Sequence, residues 1–181
     1  TTGTVNPWLL GIAAYENAMK NGCQPQMNTH VTGIQKTWDG YHVITDKECF
    51  SCRAIVNCSG VHAAKIQNML YPGDTAIRTD AADYLVMDPL IQTPKYILFQ
   101  ETEAGKGITA VPCVEGNLLL ESPARPLEIP FATTRKGMEF TKNAASKLLP
   151  NLDTGAVIRS FGAVRPNPHR TDGSSIHDFC I

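Results

Sequence analysis

The residues that could do chemistry are thinly spread, and the densest pattern is Ala54-Ile55-Val56-Asn57-Cys58-Ser59-Gly60-Val61-His62. It reads as a buried strand, a tight Ser59-Gly60 turn and a helix start, a layout that brings backbone close to a dinucleotide. Gly105-Lys106-Gly107-Ile108-Thr109-Ala110 formally matches the GxGxxA fingerprint. The residues after Gly107 are β-branched and run into Pro112, so no helix N-terminus is available to meet a pyrophosphate, and the segment reads as a turn entering a hairpin. Lys106, between the two glycines, could contact an anion from that turn. Arg165 follows a β-prone run in Phe161-Gly162-Ala163-Val164-Arg165-Pro166 and carries a permanently charged fork of donors suited to a carboxylate or phosphate.

Other chemistries are poorly supported. Cys49-Phe50-Ser51-Cys52 is a CxxC pair, but two thiols supply half of a closed zinc site, and no second pair follows at zinc spacing. The histidines at 30, 42, 62, 169 and 177 form no HxxxH or HExxH pairing, so no metal site is expected. The six cysteines, at 23, 49, 52, 58, 113 and 180, lack framework spacing and read as reduced thiols of a cytoplasmic protein. Sixteen basic and 17 acidic residues, mixed along the chain for a net charge of -1, leave no electrostatic footprint for nucleic acid. No apolar run is long enough to span a membrane.

The elements that must position these residues follow from punctuation and periodicity. Asn6 and Pro7 open a helix over Trp8 to Lys20 that Asn21-Gly22 stops. Short β-prone runs follow: Val31 to Trp38, an Asp39-Gly40 turn, Tyr41 to Thr45, and a return through Phe50 into Ala54 to Cys58. A short helix from about His62 to Met69 ends at Tyr71-Pro72-Gly73, a lobe boundary. Strands are then expected at Tyr84 to Met87, Tyr96 to Gln100, Ile108 to Val114, Asn117 to Glu121 and Ala156 to Val164. Between the last two lie a Pro-rich loop, Ser122 to Pro130, and a helix opened by Thr133-Thr134 that runs to Leu149.

Taken in order, Thr2-Gly3-Thr4-Val5-Asn6-Pro7-Trp8, the 54–66 segment, Phe99-Gln100, Gly116-Asn117-Leu118-Leu119 and Phe161 to Pro166 resemble the FAD-dependent oxidoreductases of the D-amino-acid-oxidase-like (DAO) superfamily. The branch is that of the glycerol-3-phosphate dehydrogenases and L-2-hydroxyglutarate oxidases, and the resemblance covers nearly the whole chain. It implies an α+β protein with a partial FAD-binding α/β lobe containing a three-stranded meander (residues 1–75, resumed over 166–181). An antiparallel substrate lobe flanked by helix takes residues 76–165 between them. Because that family carries a true GxGxxG near its N-terminus and this chain has none, the chain is expected to be an internal fragment, inactive alone and without bound FAD.

By the same resemblance, FAD would meet the backbone of Val31 and the Ser59-Gly60 turn, while Arg165, Tyr84 and Lys106 would face the substrate. The whole enzyme would move a hydride from a small anionic hydroxy compound to flavin, glycerol 3-phosphate first and a 2-hydroxy acid second. The catalytic base would lie outside this chain, and the sequence does not identify the electron acceptor. Two departures stand out: Asp80-Ala81-Ala82-Asp83 replaces an Arg-Gly-Glu-like run before Tyr84, and Glu121-Ser122-Pro123 stands where a Gly-Pro turn is usual. They motivate the alternative of a non-catalytic flavoprotein-like binding or scaffolding module.

Overall fold

The computed structural model describes residues 3–73, 75–89, 93–102, 105–127, 132–174 and 176. His177, Cys180 and the strand-like run 178–181 lie outside them. By compactness the chain divides into two units, Thr1–Cys23 with Asp80–Arg165 and Gln24–Thr79 with Pro166–Ile181.

In the first unit, helix α1 (Pro7–Lys20) forms as its punctuation predicts. The Asn6 side chain accepts hydrogen bonds from the amides of Trp8 and Leu9, Pro7 stands in the first turn, and Gly22 takes a left-handed φ of 85° past the end. In the second unit, strands β1 (Val31–Lys36), β2 (Tyr41–Thr45) and β3 (Cys49–Cys52) make an antiparallel meander in that order. Gly40 is required at its first turn, since a Cβ there would lie 2.2 Å from the Cys52 carbonyl oxygen.

Ala54 to Cys58 forms no strand, correcting the expectation from its composition. Apolar β-branched residues make a strand only beside a partner that satisfies their backbone groups. Among the described residues none pairs with this run, and Val56 is 86% exposed. A single 3-10 turn (Gly60–His62) and a short helix α2 (Ala63–Gln67) follow it.

The larger sheet holds β4 (Thr75–Met87), β5 (Leu98–Thr102), β6 (Gly105–Pro112), β7 (Leu118–Glu121), β8 (Arg125–Pro126) and β9 (Val157–Arg170). Its order is β5-β6-β7-β4-β8, with β9 also paired to β4. The stretch read as a Pro-rich loop thus contains a two-residue strand, β8, where Ala81 pairs with Arg125 and Asp80 with Pro126. Arg165 is not at a strand end, because β9 continues through Pro166 and Pro168. Prolines two apart place their missing donors on one side of a strand, which an outer strand tolerates.

Helix α3 (Arg135–Leu148) covers one face of this sheet. Leu85, Met87, Ile108, Ala110, Leu118 and Leu120, all at most 1% exposed, meet Met138, Ala144, Ala145 and Leu148, a stripe with helical spacing. Strand alternation then sends Tyr84, Thr109, Glu121 and their same-parity neighbours to the opposite face.

Candidate functional site

Tyr84, Lys106 and Arg165, three residues singled out from sequence, converge on one carboxylate that sequence reading left without a role. Glu121, 8% exposed, accepts a hydrogen bond from the Tyr84 hydroxyl at 2.9 Å and from Arg165 Nη2 at 2.6 Å, both at Oε1. Its Oε2 accepts from Lys106 Nζ at 2.6 Å. Tyr84 and Glu121 are directly opposite in the β4–β7 ladder, and Thr109 is opposite Glu121 in the β6–β7 ladder. The signal that could have found Glu121 is a charge closing the apolar run Leu118-Leu119-Leu120.

Lys106 reaches this face through an irregularity. Phe99 pairs with Thr109, but Glu101 pairs with Lys106, a shift of one residue that inverts which side of the sheet Lys106 occupies relative to Ile108. Lys106 is therefore in strand β6 and not on a flexible turn, and no helix follows Gly107, so the GxGxxA match has no phosphate-binding context. Arg165 shares its strand face with Phe161, four residues earlier. The Phe161 ring stacks on Tyr84 with centroids 4.9 Å apart and planes 1° from parallel. Between them Gly162 turns to the other face, where a Cβ would meet the Ala132 carbonyl oxygen at 2.6 Å.

Burial, with the Glu121 charge adding to it, pushes the Tyr84 phenol up to about 12, against partial relief from Arg165. The hydroxyl thus keeps its proton at neutral pH and acts as a donor. Lys106 and Arg165 have side chains 42% and 43% exposed against 10% for Glu121, so each cation has an open side while the anion between them does not. The Thr109 hydroxyl, on a residue 7% exposed, has no hydrogen-bond partner among the described residues. This face offers cationic and neutral donors to an anion.

Asp83, next to Tyr84 and facing the other way, has a different part. It is fully buried and receives Arg125 Nε and Nη2 at 2.8 and 2.9 Å, with the Thr134 amide at 3.1 Å. Thr134 is the N-cap of α3, so Asp83 ties β4 to the positive end of that helix. Burial alone would raise its pKa; the Arg125 and Thr134 hydrogen bonds outweigh that and hold the carboxyl below its ordinary value. A groove of about 370 Å³ lies over this network, lined by Asp83, Ser122, Arg125, Thr134, Gly137 and Phe140.

The residues expected to hold a cofactor lie in the other unit. Asn57 organises the turn, accepting from Ser59 Oγ at 2.5 Å and donating to the Ala63 carbonyl at 2.9 Å. Gly60 has φ +57°, and a Cβ built on it would meet nothing within 4 Å. The turn thus needs glycine for its own backbone and also leaves an open approach. Val31 begins β1, an outer strand of the meander, so alternate backbone groups along β1 point away from β2. Both features fit a flat ligand held by backbone. Cys49 and Cys52, three apart in β3, sit on opposite faces and are free thiols. Among the described residues no three His, Cys, Asp or Glu side chains gather as a metal site.

Residues 1–180 match the family model described as FAD dependent oxidoreductase, DAO. The chain belongs to that family. Among relatives of this chain, a glycerol 3-phosphate dehydrogenase from Caloramator mitchellensis is 32% identical over 176 residues, which are 95% of this chain and 37% of the relative. An FAD-bound L-alpha-glycerophosphate oxidase from Mycoplasma pneumoniae superposes with a TM-score of 0.71 at 25% identity, over 83% of this chain and 42% of that one. Glycine oxidase from Geobacillus kaustophilus gives a TM-score of 0.75 at 20% identity, over 91% and 42%, a likeness of fold. The chain therefore spans about two-fifths of the length of these proteins.

Proposed function

We propose that the full-length protein carrying this chain is an FAD-dependent oxidoreductase that oxidises a small anionic hydroxy compound, glycerol 3-phosphate before a 2-hydroxy acid. The observation that carries the reading is the meeting of Tyr84, Lys106 and Arg165 on one sheet face, with both cations half-exposed. Family membership and the glycerol phosphate relatives support it.

On this reading Val31, Ser59 and Gly60 would hold FAD, within a cofactor lobe of residues 1–75 and 166–181. When bound, FAD supplies a two-electron acceptor, a chemistry unavailable to ordinary side chains. Residues 76–165 form the substrate lobe. There the Arg165 fork and the Lys106 ammonium fix the anionic end of the substrate, which sets the position of its hydroxyl-bearing carbon. Tyr84 offers a proton it does not lose at neutral pH, and the stacked Phe161 ring limits its movement. The free cysteines among the described residues support a cytoplasmic reading, and no helix among those residues is long and apolar enough to cross a membrane.

The full-length protein should purify yellow, and anaerobic glycerol 3-phosphate should bleach its flavin. A preparation that never holds flavin would support the scaffolding alternative. Flavin bleached by 2-hydroxyglutarate and not by glycerol 3-phosphate would move the assignment to the second substrate class.

A further inference from the structure

We infer that Glu121 is a specificity-determining residue: a built-in carboxylate that competes with the substrate's anionic group for Lys106 and Arg165, disfavouring doubly charged anions more than singly charged ones. This rests on the reading of those two cations as the substrate's anion contacts.

The geometry points to competition in several ways. Glu121 uses both oxygens on the cations, with contacts of 2.6 Å to each, so it occupies donors that a substrate anion would need. It is held there by more than charge, because the Tyr84 hydroxyl shares Oε1 and the β7 backbone fixes its origin between β4 and β6. Glu121 is buried while Lys106 and Arg165 keep exposed surface, so an arriving anion reaches cations that already hold a carboxylate. Glu101, directly opposite Lys106 in the β5–β6 ladder, brings a second carboxylate to the same face, so the two cations already meet two anions, while the Tyr84 phenol is neutral. A phosphate dianion is repelled by Glu121 twice as strongly as a carboxylate is, so the Glu121 charge narrows the advantage that Lys106 and Arg165 give the dianion.

Relieving the competition is a substitution of one atom. Glu121→Gln keeps the side chain's length and its Oε1 acceptor for Tyr84 while removing the charge. Calorimetric titration of the full-length protein with inorganic phosphate and with acetate, at fixed ionic strength, reads the effect without depending on turnover. Glu121→Gln should bind phosphate about tenfold more tightly or better, with a smaller gain for acetate. Equal or weaker phosphate binding, in a variant that melts like the wild type, would overturn the proposal and make Glu121 a positioning residue for the cations.

Should unmatched cations prevent that variant from folding, Lys106→Gln/Glu121→Gln restores the wild-type charge balance. Lys106→Gln alone should then lose about tenfold in phosphate affinity and the pair should recover it. A pair no better than Lys106→Gln alone would also overturn the proposal. Failure of glycerol 3-phosphate to reduce the flavin, with phosphate binding tightened by Glu121→Gln, would remove the substrate assignment and leave this inference standing.

Discussion

At the scale of single residues, adjacent positions on β4 serve opposite sides of one sheet. Tyr84 joins the Glu121 cluster and Asp83 anchors α3. Arg165→Lys keeps the charge but loses the planar fork, so kcat/KM of the full-length enzyme should fall by about tenfold or more, chiefly through KM. Unchanged steady-state kinetics would remove Arg165 from the site. Asp83→Asn removes the buried charge that Arg125 and the Thr134 amide share and should destabilise the fold by about 3–5 kcal/mol at neutral pH. The sign of its pH dependence is set by the lowered carboxyl pKa. The stabilisation is present above the unfolded value, about 3.9, and is lost as pH falls through the lower folded value. Denaturation curves of wild type and variant should therefore converge in acid and separate near neutrality.

At the scale of elements, the α3 N-terminus gives Asp83, one of the two acidic residues of the 80–83 replacement, a structural part. Asp83 needs a helix end with a close-lying glycine, and Gly137 provides it: a Cβ there would lie 1.7 Å from Asp83 Oδ2. Helix propensity alone favours Gly137→Ala by about 1 kcal/mol. The clash dominates, so the variant should lose about 2 kcal/mol or more, measurable as a lower urea midpoint. A raised midpoint would show that the Asp83 contact is dispensable.

What was legible in the sequence follows the same division. Helices α1 and α3 and the β1–β3 meander announce themselves through caps, Asp39-Gly40 and local periodicity. Arg165, Tyr84 and Lys106 could be named from residue type and order. Their common partner could not, because the Tyr84–Glu121 pairing joins residues 37 apart and depends on register, and the side taken by Lys106 depends on a one-residue shift. Ala54 to Cys58 misled for the converse reason: its composition suits a strand, but strand formation depends on a neighbour.

At the scale of the whole molecule, cofactor affinity and folding separate. The substrate-side core is closed by α3 and four consecutive paired strands, so the 181-residue chain should show a cooperative melt. It contains no strand-GxGxxG-helix unit, the element whose amides and helix end grip a pyrophosphate. Purified alone it should carry no stoichiometric FAD, and flavin absorbance near one equivalent per chain would refute this.

The one-residue shift between β5 and β6 has a second effect at the same scale. Among the described residues β5 ends the sheet order, and Phe99 is exposed, so a flat, regular β5 would be a template on which a second chain could add a strand. An extra residue in its partner kinks and twists the ladder there, spoiling the register such an addition would need. The device that turns Lys106 toward Glu121 thus also guards the sheet against self-association.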